Sequence, residues 1–126
     1  MKSFISFLLS LAAFYSCTSV TKDEIKESIP GTYIRNAQHE YGSEQDTVII
    51  TVLNAASNEY KITRRWKYER VMDGKAIEPE YKVTDNTGVY SSETKMLQES
   101  STLETYSFDP KQNLMFSGDI KYQKLK

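Results

Sequence analysis

Cysteine and histidine, the side chains most often used for nucleophilic catalysis and metal binding, each occur once in this sequence. They are Cys17 and His39. Because a typical zinc site takes three or four protein ligands, mostly of these types, the chain lacks the residues for one. His39 lies in the turn-like segment QHEYG, which has no strand–turn–helix motif nearby to carry a nucleophile. We therefore expect His39 to be a surface or strand-edge residue, and we expect no metal site.

Pairs of carboxylates are the second kind of chemistry that the sequence offers. Glu78 and Glu80 form one pair, and Glu40 and Glu44 form another. Two acids hydrolyse glycosides only at set separations across a cleft, and acids on an exposed strand more often serve solvation. The chain also has no glycine-rich phosphate loop. These patterns predict a protein that is not an enzyme and takes no cofactor.

The segment RRWKYER is the one local concentration of basic and aromatic residues. Alternation along a strand puts Arg64, Trp66 and Tyr68 on one face and Arg65 and Lys67 on the other. Basic and aromatic side chains on one surface stack on nucleic acids or sugars, but here they are largely separated. Trp66 is therefore predicted to lie in the core.

Arg64 falls on the apolar face of this segment, where a guanidinium needs a polar partner. Three roles are open to it: an internal ion pair, a place at the rim, or contact with an anionic ligand inside a barrel. Arg64, Trp66 and Tyr68, together with Tyr33 of the first predicted strand, are thus candidates for a ligand site or a polar core site.

The N-terminus explains the single cysteine. A positive start at Met1–Lys2 precedes an apolar stretch from Phe4 to Tyr15, which is too short to span a bilayer. This layout is typical of a secretory signal peptide. Ser16–Cys17 resembles the lipobox of bacterial lipoproteins, although that family usually has an aliphatic residue at the position of Phe14. The resemblance implies cleavage after Ser16 and a diacylglycerol on Cys17.

A lone cysteine in an exported chain has no intramolecular partner for a disulfide, which agrees with a lipidated Cys17. Two or three acyl chains hold a small domain on a membrane almost permanently, since each buried methylene contributes about 0.8 kcal/mol. Two alternatives remain open. They are a plain secreted protein that is cut a few residues later and an uncleaved anchor.

Residues 17–29 are predicted to be a polar, lipidated tether. Its segment TKDEIKES has the pattern of a short helical turn, with Thr21 as the cap and Glu24 three residues later. Thr18 is not the aspartate that retains lipoproteins in the inner membrane of enterobacteria, which points to the outer membrane. Lys22 to Glu24 also resembles the signals that send Bacteroidota-type lipoproteins to the cell surface. The sequence leaves open which face of the outer membrane holds the protein.

From Pro30 onward the apolar residues repeat with the period of a strand rather than that of a helix. The sequence predicts about seven or eight short strands, joined by short turns into a small antiparallel meander that curls into a barrel or a strongly curved sheet. Asp73–Gly74 predicts a two-residue type I′ hairpin. Pro79 marks an edge, a bulge or a gap in the returning strand. The domain division is a signal peptide at 1–16, the tether at 17–29 and a β-barrel-like domain at 30–126.

Two predictions concern the second half of this domain. VYSSETKMLQES fits a strand better than a short helix. In NLMFSGDIKYQKL one face is expected to hold four apolar side chains, interrupted at Gly118 by a bend or a close backbone approach. Those four side chains are Leu114, Phe116, Ile120 and Tyr122.

The start of the domain, PGTY, resembles the Gly-x-Trp opening strand of lipocalin-like barrels, with Tyr33 in the place of the tryptophan. The resemblance implies that Tyr33 plugs the barrel floor beneath a basic residue of a late strand, either Lys121 or Lys124. The whole chain also resembles small uncharacterised lipoproteins of Bacteroidota. That resemblance implies an envelope location and a β fold, but no activity.

The charge balance and the predicted location narrow the function. A formal net charge of −1 argues against a nucleic-acid partner. The sequence favours a non-catalytic lipoprotein, held on the membrane through Cys17, that is a binding or structural accessory of a larger envelope assembly. One alternative is a lipocalin-like carrier of a small apolar or anionic ligand, which needs an open apolar cavity. Another is an inhibitor of an extracellular hydrolase such as lysozyme. The accessory instead needs a filled core and an exposed apolar or aromatic patch.

Overall fold

The computed structural model describes residues 23–125, so the predicted signal peptide, Cys17 and Thr21 lie outside the described residues. One short helix and nine strands make up this part of the chain. They are α1 Glu24–Ser28, β1 Gly31–His39, β2 Gly42–Asn54, β3 Glu59–Met72, β4 Lys75–Ala76, β5 Glu80–Ser91, β6 Met96–Glu99, β7 Thr105–Asp109, β8 Leu114–Ser117 and β9 Ile120–Leu125.

Eight of these strands form a closed antiparallel barrel, which confirms the predicted all-β fold. Around the barrel the order is β2, β1, β9, β8, β7, β6, β5 and β3, and pairing between β3 and β2 closes the ring. Each connection within this ring is short, as the antiparallel arrangement allows. The ninth strand, β4, pairs only with the far end of β3.

The barrel has two unlike ends. We call the end that holds α1 and the β2–β3 turn the closed end, and the end that holds the β1–β2 turn and the β6–β7 loop the open end. Strands β6 to β9 have four to six residues each, whereas β1, β2, β3 and β5 have nine to fourteen. The four long strands therefore rise past the short ones at the open end, as a curved sheet that we call the wall.

Helix α1 lies across the closed end. Asp23 caps it, accepting a hydrogen bond from the Lys26 backbone N–H at 3.1 Å, so the cap is not the predicted Thr21. Lys26 Nζ donates to the Ala55 carbonyl in the β2–β3 turn, and the Tyr90 hydroxyl donates to Asp23. Ile29 is fully buried. Residues 23–29, which the sequence placed in the tether, are thus part of the folded domain.

Large apolar side chains fill the barrel from α1 to about half its height. Five of the buried residues are tyrosines, whose rings occupy the interior. The hydroxyls of four of them, Tyr33, Tyr90, Tyr106 and Tyr122, donate to partners at one end or the other. The buried apolar residues are Ile29, Tyr33, Val48, Ile50, Tyr60, Ile62, Tyr90, Leu97, Tyr106, Phe108, Met115 and Tyr122.

The hairpin at Asp73–Gly74 is confirmed. Both residues have positive φ, 52° and 75°, and Met72 pairs with Lys75 across them, as a type I′ turn requires. Pro79 lies in the gap between β4 and β5, one of the three roles predicted for it. VYSSETKMLQES contains the end of β5, a turn and β6, which agrees with the predicted strand character.

The predicted inner face of the last hairpin is half wrong. Ile120 and Tyr122 point inward, but on β8 the buried residues are Met115 and Ser117 rather than Leu114 and Phe116. The reason is the register. Gly118 turns the chain back instead of bending one strand, so Met115 pairs with Tyr122 and both point to the same side.

Candidate functional site

The open end holds three of the residues that the sequence singled out. Arg64, Trp66 and Tyr68 follow one another on the inner face of β3, as the alternation predicted. Tyr33 lies at the closed end instead, and Cys17 lies outside the described residues. The candidate ligand site is therefore built around β3 at the open end.

Arg64 pairs internally, the first of its three predicted roles. Its Nη2 donates to Asp46 Oδ2 at 2.7 Å, and its Nε lies 3.2 Å from both Asp46 oxygens. Its Nη1 is 3.5 Å from Glu104 Oε2. The hydroxyl of Tyr122 donates to the same Asp46 carboxylate at 3.0 Å. The Asp46 side chain is almost fully buried, whereas the Arg64 side chain is 31% exposed. The ion pair therefore forms the base of the open end.

Two more carboxylates lie beside this pair. Glu99 is only 3% exposed, and it accepts hydrogen bonds from Tyr106 at 2.8 Å and from Thr102 at 2.6 Å. The Tyr106 hydroxyl is also 3.4 Å from Glu104 Oε2. The other Glu104 oxygen accepts a hydrogen bond from Ser117 at 2.9 Å. Hydroxyl donors, rather than cations, therefore satisfy most of these carboxylate oxygens.

The protonation states in this network are held by burial and by the neighbouring charges. The hydrogen bond to Asp46 raises the pKa of Arg64 further above its usual range, so the guanidinium stays charged. Burial raises the pKa of Tyr106, and the hydrogen bond to Glu99 raises it further. Burial and the Asp46 charge raise the pKa of Tyr122. Both tyrosine hydroxyls therefore remain donors at neutral pH.

Above this network Trp66 and Tyr68 form an aromatic stack on the wall. Their rings are 5.5 Å apart with an interplanar angle of 5°. The Arg70 guanidinium carbon lies 5.5 Å from the centroid of the Tyr68 ring. The centroid of the His39 ring lies 6.3 Å from the same Tyr68 centroid. Trp66 is half-buried, so its predicted place in the core is wrong. The predicted direction of the Trp66 side chain was correct. Trp66 is only half-buried because it lies on the part of the wall that the short strands across the barrel do not reach.

Some of these groups, together with residues of β5 and of the β6–β7 loop, line a cleft of about 370 Å³ at the open end. Its volume is within the range of small-ligand sites. The apolar core fills the barrel below it. The cleft is lined by Arg64, Trp66, Lys82, Thr84, Asn86, Glu99, Thr102 and Glu104.

Tyr33 closes the opposite end. Its hydroxyl lies 2.8 Å from the Ser28 carbonyl and 2.9 Å from that of Ile29. Lys124 Nζ donates to the same Ser28 carbonyl at 2.6 Å and lies 5.7 Å from the Tyr33 ring centroid. Of the two lysines that the resemblance offered for this contact, Lys124 is thus the one over the ring, while Lys121 is exposed. Tyr33 is part of the floor and has no access to the cleft.

The other residues considered for chemistry are far apart or already paired. His39 ends β1, and its Nε2 is 3.9 Å from Glu44. Glu80 accepts a hydrogen bond from Arg70 at 2.6 Å, and Glu78 is exposed in the gap before β5. Within residues 23–125, no group of three or more histidine, cysteine or acidic side chains is arranged to hold a metal ion. Over the same residues, no helix has the length and apolar character needed to span a bilayer.

Sequence reasoning missed the three acidic residues around the base of the cleft, of which Asp46 and Glu104 pair with Arg64. Asp46 could have been found, because it continues the inward alternation of Val48 and Ile50 on β2. Glu99 likewise continues the inward alternation of Leu97 on β6. Glu104 lies in a loop and carries no such signal. Comparison of the chain with protein families, with curated proteins and with solved structures gave no match.

Proposed function

We propose that this protein is a non-catalytic lipoprotein of the bacterial outer envelope, anchored by a lipid on Cys17, and that it binds a protein partner as an accessory of a larger assembly. The observation that carries the proposal is the contrast between the two ends of the barrel. The closed end is filled by the apolar core and covered by α1, whereas the open end carries a cleft above the Arg64–Asp46 ion pair. Apolar side chains are exposed near both ends, Leu53 and Leu125 at the closed end and Tyr41 and Met72 at the open end. An accessory protein needs this combination of a filled core and an exposed patch.

The position of α1 supports an orientation of this kind. Asp23 lies at the closed end, six positions after Cys17, with five residues between them. Even a fully extended chain of that length spans at most about 20 Å. A lipid on Cys17 therefore keeps the closed end near the membrane and leaves the open end directed toward a partner.

The exposed apolar side chains at the open end are the surface that we assign to that partner. The Val71 backbone N–H donates to the Tyr41 carbonyl at 2.8 Å, which joins the β1–β2 turn to the β3–β4 hairpin. Ile77 is joined to the same hairpin by a hydrogen bond from its N–H to the Arg70 carbonyl at 2.9 Å. We call this group the tip. It exposes Tyr41, Val71, Met72 and Ile77.

Native gel electrophoresis of detergent-solubilised membranes tests the proposal. Met72→Glu places a charge on the tip, and Leu53→Glu places the same charge near the closed end at a similar exposure, 53% against 59%. We expect the wild type and Leu53→Glu to migrate in a large species. Met72→Glu should migrate as the free protein, because a desolvated charge opposes an apolar interface. A wild-type protein that migrates only as the free form would contradict the assembly role.

The two alternative functions have less support. A carrier of an apolar ligand needs a cavity where this barrel holds tyrosine, leucine and isoleucine side chains. A carrier of an anionic ligand needs an excess of cations, but Arg64 is paired with Asp46 and Glu104, and the other cation that lines the cleft, Lys82, lies there with Glu99 and Glu104. No feature of the described residues favours an inhibitor of a hydrolase.

A further inference from the structure

We propose that the cleft at the open end binds a neutral saccharide. This inference rests on the proposed function only in that it uses the same end of the barrel. It concerns the cleft lined by Arg64, Trp66, Lys82 and Glu99, whereas the partner is assigned to the tip. The two sites are therefore separable by mutation.

The charge of the cleft favours a ligand without net charge. Two cations, Arg64 and Lys82, and two carboxylates, Glu99 and Glu104, line it. Arg64 is neutralised by its ion pairs, and Asp46 adds a third carboxylate beneath it. An anion would meet the carboxylates, and an ammonium group would meet the two cations. The formal sum of the two cations and the three carboxylates is −1, which disfavours an anion, and the exposed Lys82 ammonium opposes a cation.

The hydrogen-bonding groups of the cleft are those that a polyol uses. Glu99 and Glu104 are acceptors, Lys82 is a donor, and Asn86 offers both kinds of group. Sugar hydroxyls donate and accept at once, so one ring can satisfy both sets. An apolar ligand would leave these groups without the water that solvates them, which costs free energy for each unsatisfied group.

Glu99 is the most specific of these groups. It is 3% exposed and lines the cleft, and within residues 23–125 its carboxylate accepts hydrogen bonds from the hydroxyls of Tyr106 and Thr102. A carboxylate has about four lone-pair positions, so Glu99 retains acceptor capacity. A buried acceptor beside a cleft fits a ligand whose O–H groups donate to the lone pairs that remain.

Trp66 supplies the apolar part of the site. Tyr68 covers one side of its indole in a parallel stack. Trp66 also lines the cleft, whereas Tyr68 does not, so the indole is the aromatic group that the cleft offers to a ligand. The negative face of an aromatic ring attracts the polarised C–H groups of a sugar ring. The site thus pairs an aromatic surface with polar groups at its base, which matches the two kinds of surface on a pyranose.

Isothermal titration calorimetry of the full chain in detergent tests this assignment. The probes are neutral trisaccharides, namely maltotriose, cellotriose, xylotriose and chitotriose, with trigalacturonate and choline as the anionic and cationic comparisons. We expect saturable binding of at least one neutral trisaccharide at or below about 1 mM. The emission of Trp66, the only tryptophan in the chain, should change over the same concentration range.

Variants place the binding in the cleft. Trp66→Ala should weaken binding by about tenfold or more. Lys82→Ala should also weaken it, and this exposed residue can be changed without disturbing the core. Tyr81→Ala is the matched control, because Tyr81 is an aromatic residue on the same strand that is 68% exposed outside the cleft. It should bind like the wild type.

Three results would overturn the inference. They are no saccharide binding up to about 10 mM, binding of trigalacturonate or choline in preference to every neutral probe, and saccharide binding that both cleft variants leave unchanged. If the large species on native gels persists in the absence of saccharide binding, only the ligand assignment has failed. If a saccharide binds and no large species exists, the accessory role has failed and the ligand assignment stands.

Discussion

At the scale of single residues, Arg64 is the group around which the open end is organised. It lies above the tyrosine core and forms an ion pair with Asp46, whose carboxylate is almost fully shielded from solvent. A charge placed so deep is tolerated because the guanidinium donates to both carboxylate oxygens of Asp46 and because Tyr122 donates to one of them.

Truncation of Arg64 should therefore destabilise the fold strongly. Arg64→Leu leaves the Asp46 carboxylate buried without a cation, which we expect to lower the free energy of unfolding by about 3–5 kcal/mol. Arg65→Leu, an exposed change on the outer face of the same strand, should alter it by no more than about 0.5 kcal/mol. Urea unfolding followed by circular dichroism measures both. Equal small effects would remove the ion pair from the account of stability.

The part of the site that could be predicted from the sequence is the part that a single strand carries. The inward direction of Arg64, Trp66 and Tyr68 follows from alternation, and the need of Arg64 for a partner follows from its place on an apolar face. The degree of burial of Trp66 does not follow from alternation, since it depends on how high the strands across the barrel rise. Glu104 was also beyond prediction, because it reaches Arg64 from a loop 40 residues away.

At the scale of elements, the unequal strand lengths produce the open end. Strands β1, β2, β3 and β5 keep pairing above the level at which β6 to β9 have turned back. The period-two pattern predicted strands correctly over most of the domain. It failed on β8, because the pattern alone does not distinguish a bend within one strand from a hairpin between two strands. In the hairpin Met115 pairs with Tyr122, so Met115 rather than Leu114 points to the inner side.

The β3–β4 hairpin offers a test of local backbone geometry. Gly74 has φ of 75°, and a Cβ built there meets no atom within 4 Å, so a substitution is opposed by backbone strain alone. Gly74→Val should lower the free energy of unfolding by about 1–3 kcal/mol. Lys75→Val, the same new side chain one residue later in β4, should change it by less than about 0.5 kcal/mol. Unfolding midpoints that coincide for the two variants would rule out the type I′ turn.

At the scale of the whole molecule, the tyrosine core links stability to alkaline pH. Burial raises the pKa of each of the five buried tyrosines above the ordinary value of 10.0. The folded state then binds more protons than the unfolded state at high pH. This contribution to stability is complete below about pH 10 and is lost as the pH rises further.

We therefore expect alkaline unfolding to be coupled to tyrosinate formation. Exposed tyrosines such as Tyr41 and Tyr81 should ionise first, with little change in circular dichroism. The buried ones should ionise only together with loss of the sheet signal above about pH 10. Near-ultraviolet absorbance and circular dichroism, recorded on one sample, measure the two events. Smooth ionisation of all tyrosines before the sheet signal falls would show that the core is not closed to solvent.

The lipid anchor is a prediction about the whole chain as well. Cys17→Ser should abolish labelling of the protein by a fatty-acid probe and leave its precursor uncut, because the substitution removes the thiol that we propose as the acceptor of the lipid. Ser16→Ala keeps a small residue before the cysteine and should be labelled like the wild type. Fluorescence of the labelled protein on denaturing gels measures this. Processing and membrane fractionation of Cys17→Ser that match the wild type would refute the lipoprotein assignment.

The central claim is that the open end of the barrel, and not the closed end, meets the partner. Site-specific photo-crosslinking in intact cells tests it most directly, with the photoreactive residue placed either at Met72 on the tip or at Leu53 near the closed end. The account predicts one discrete adduct from Met72, lost when Tyr41 and Ile77 on the tip are changed to glutamate, and none from Leu53. A discrete adduct from Leu53 with none from Met72 would contradict it.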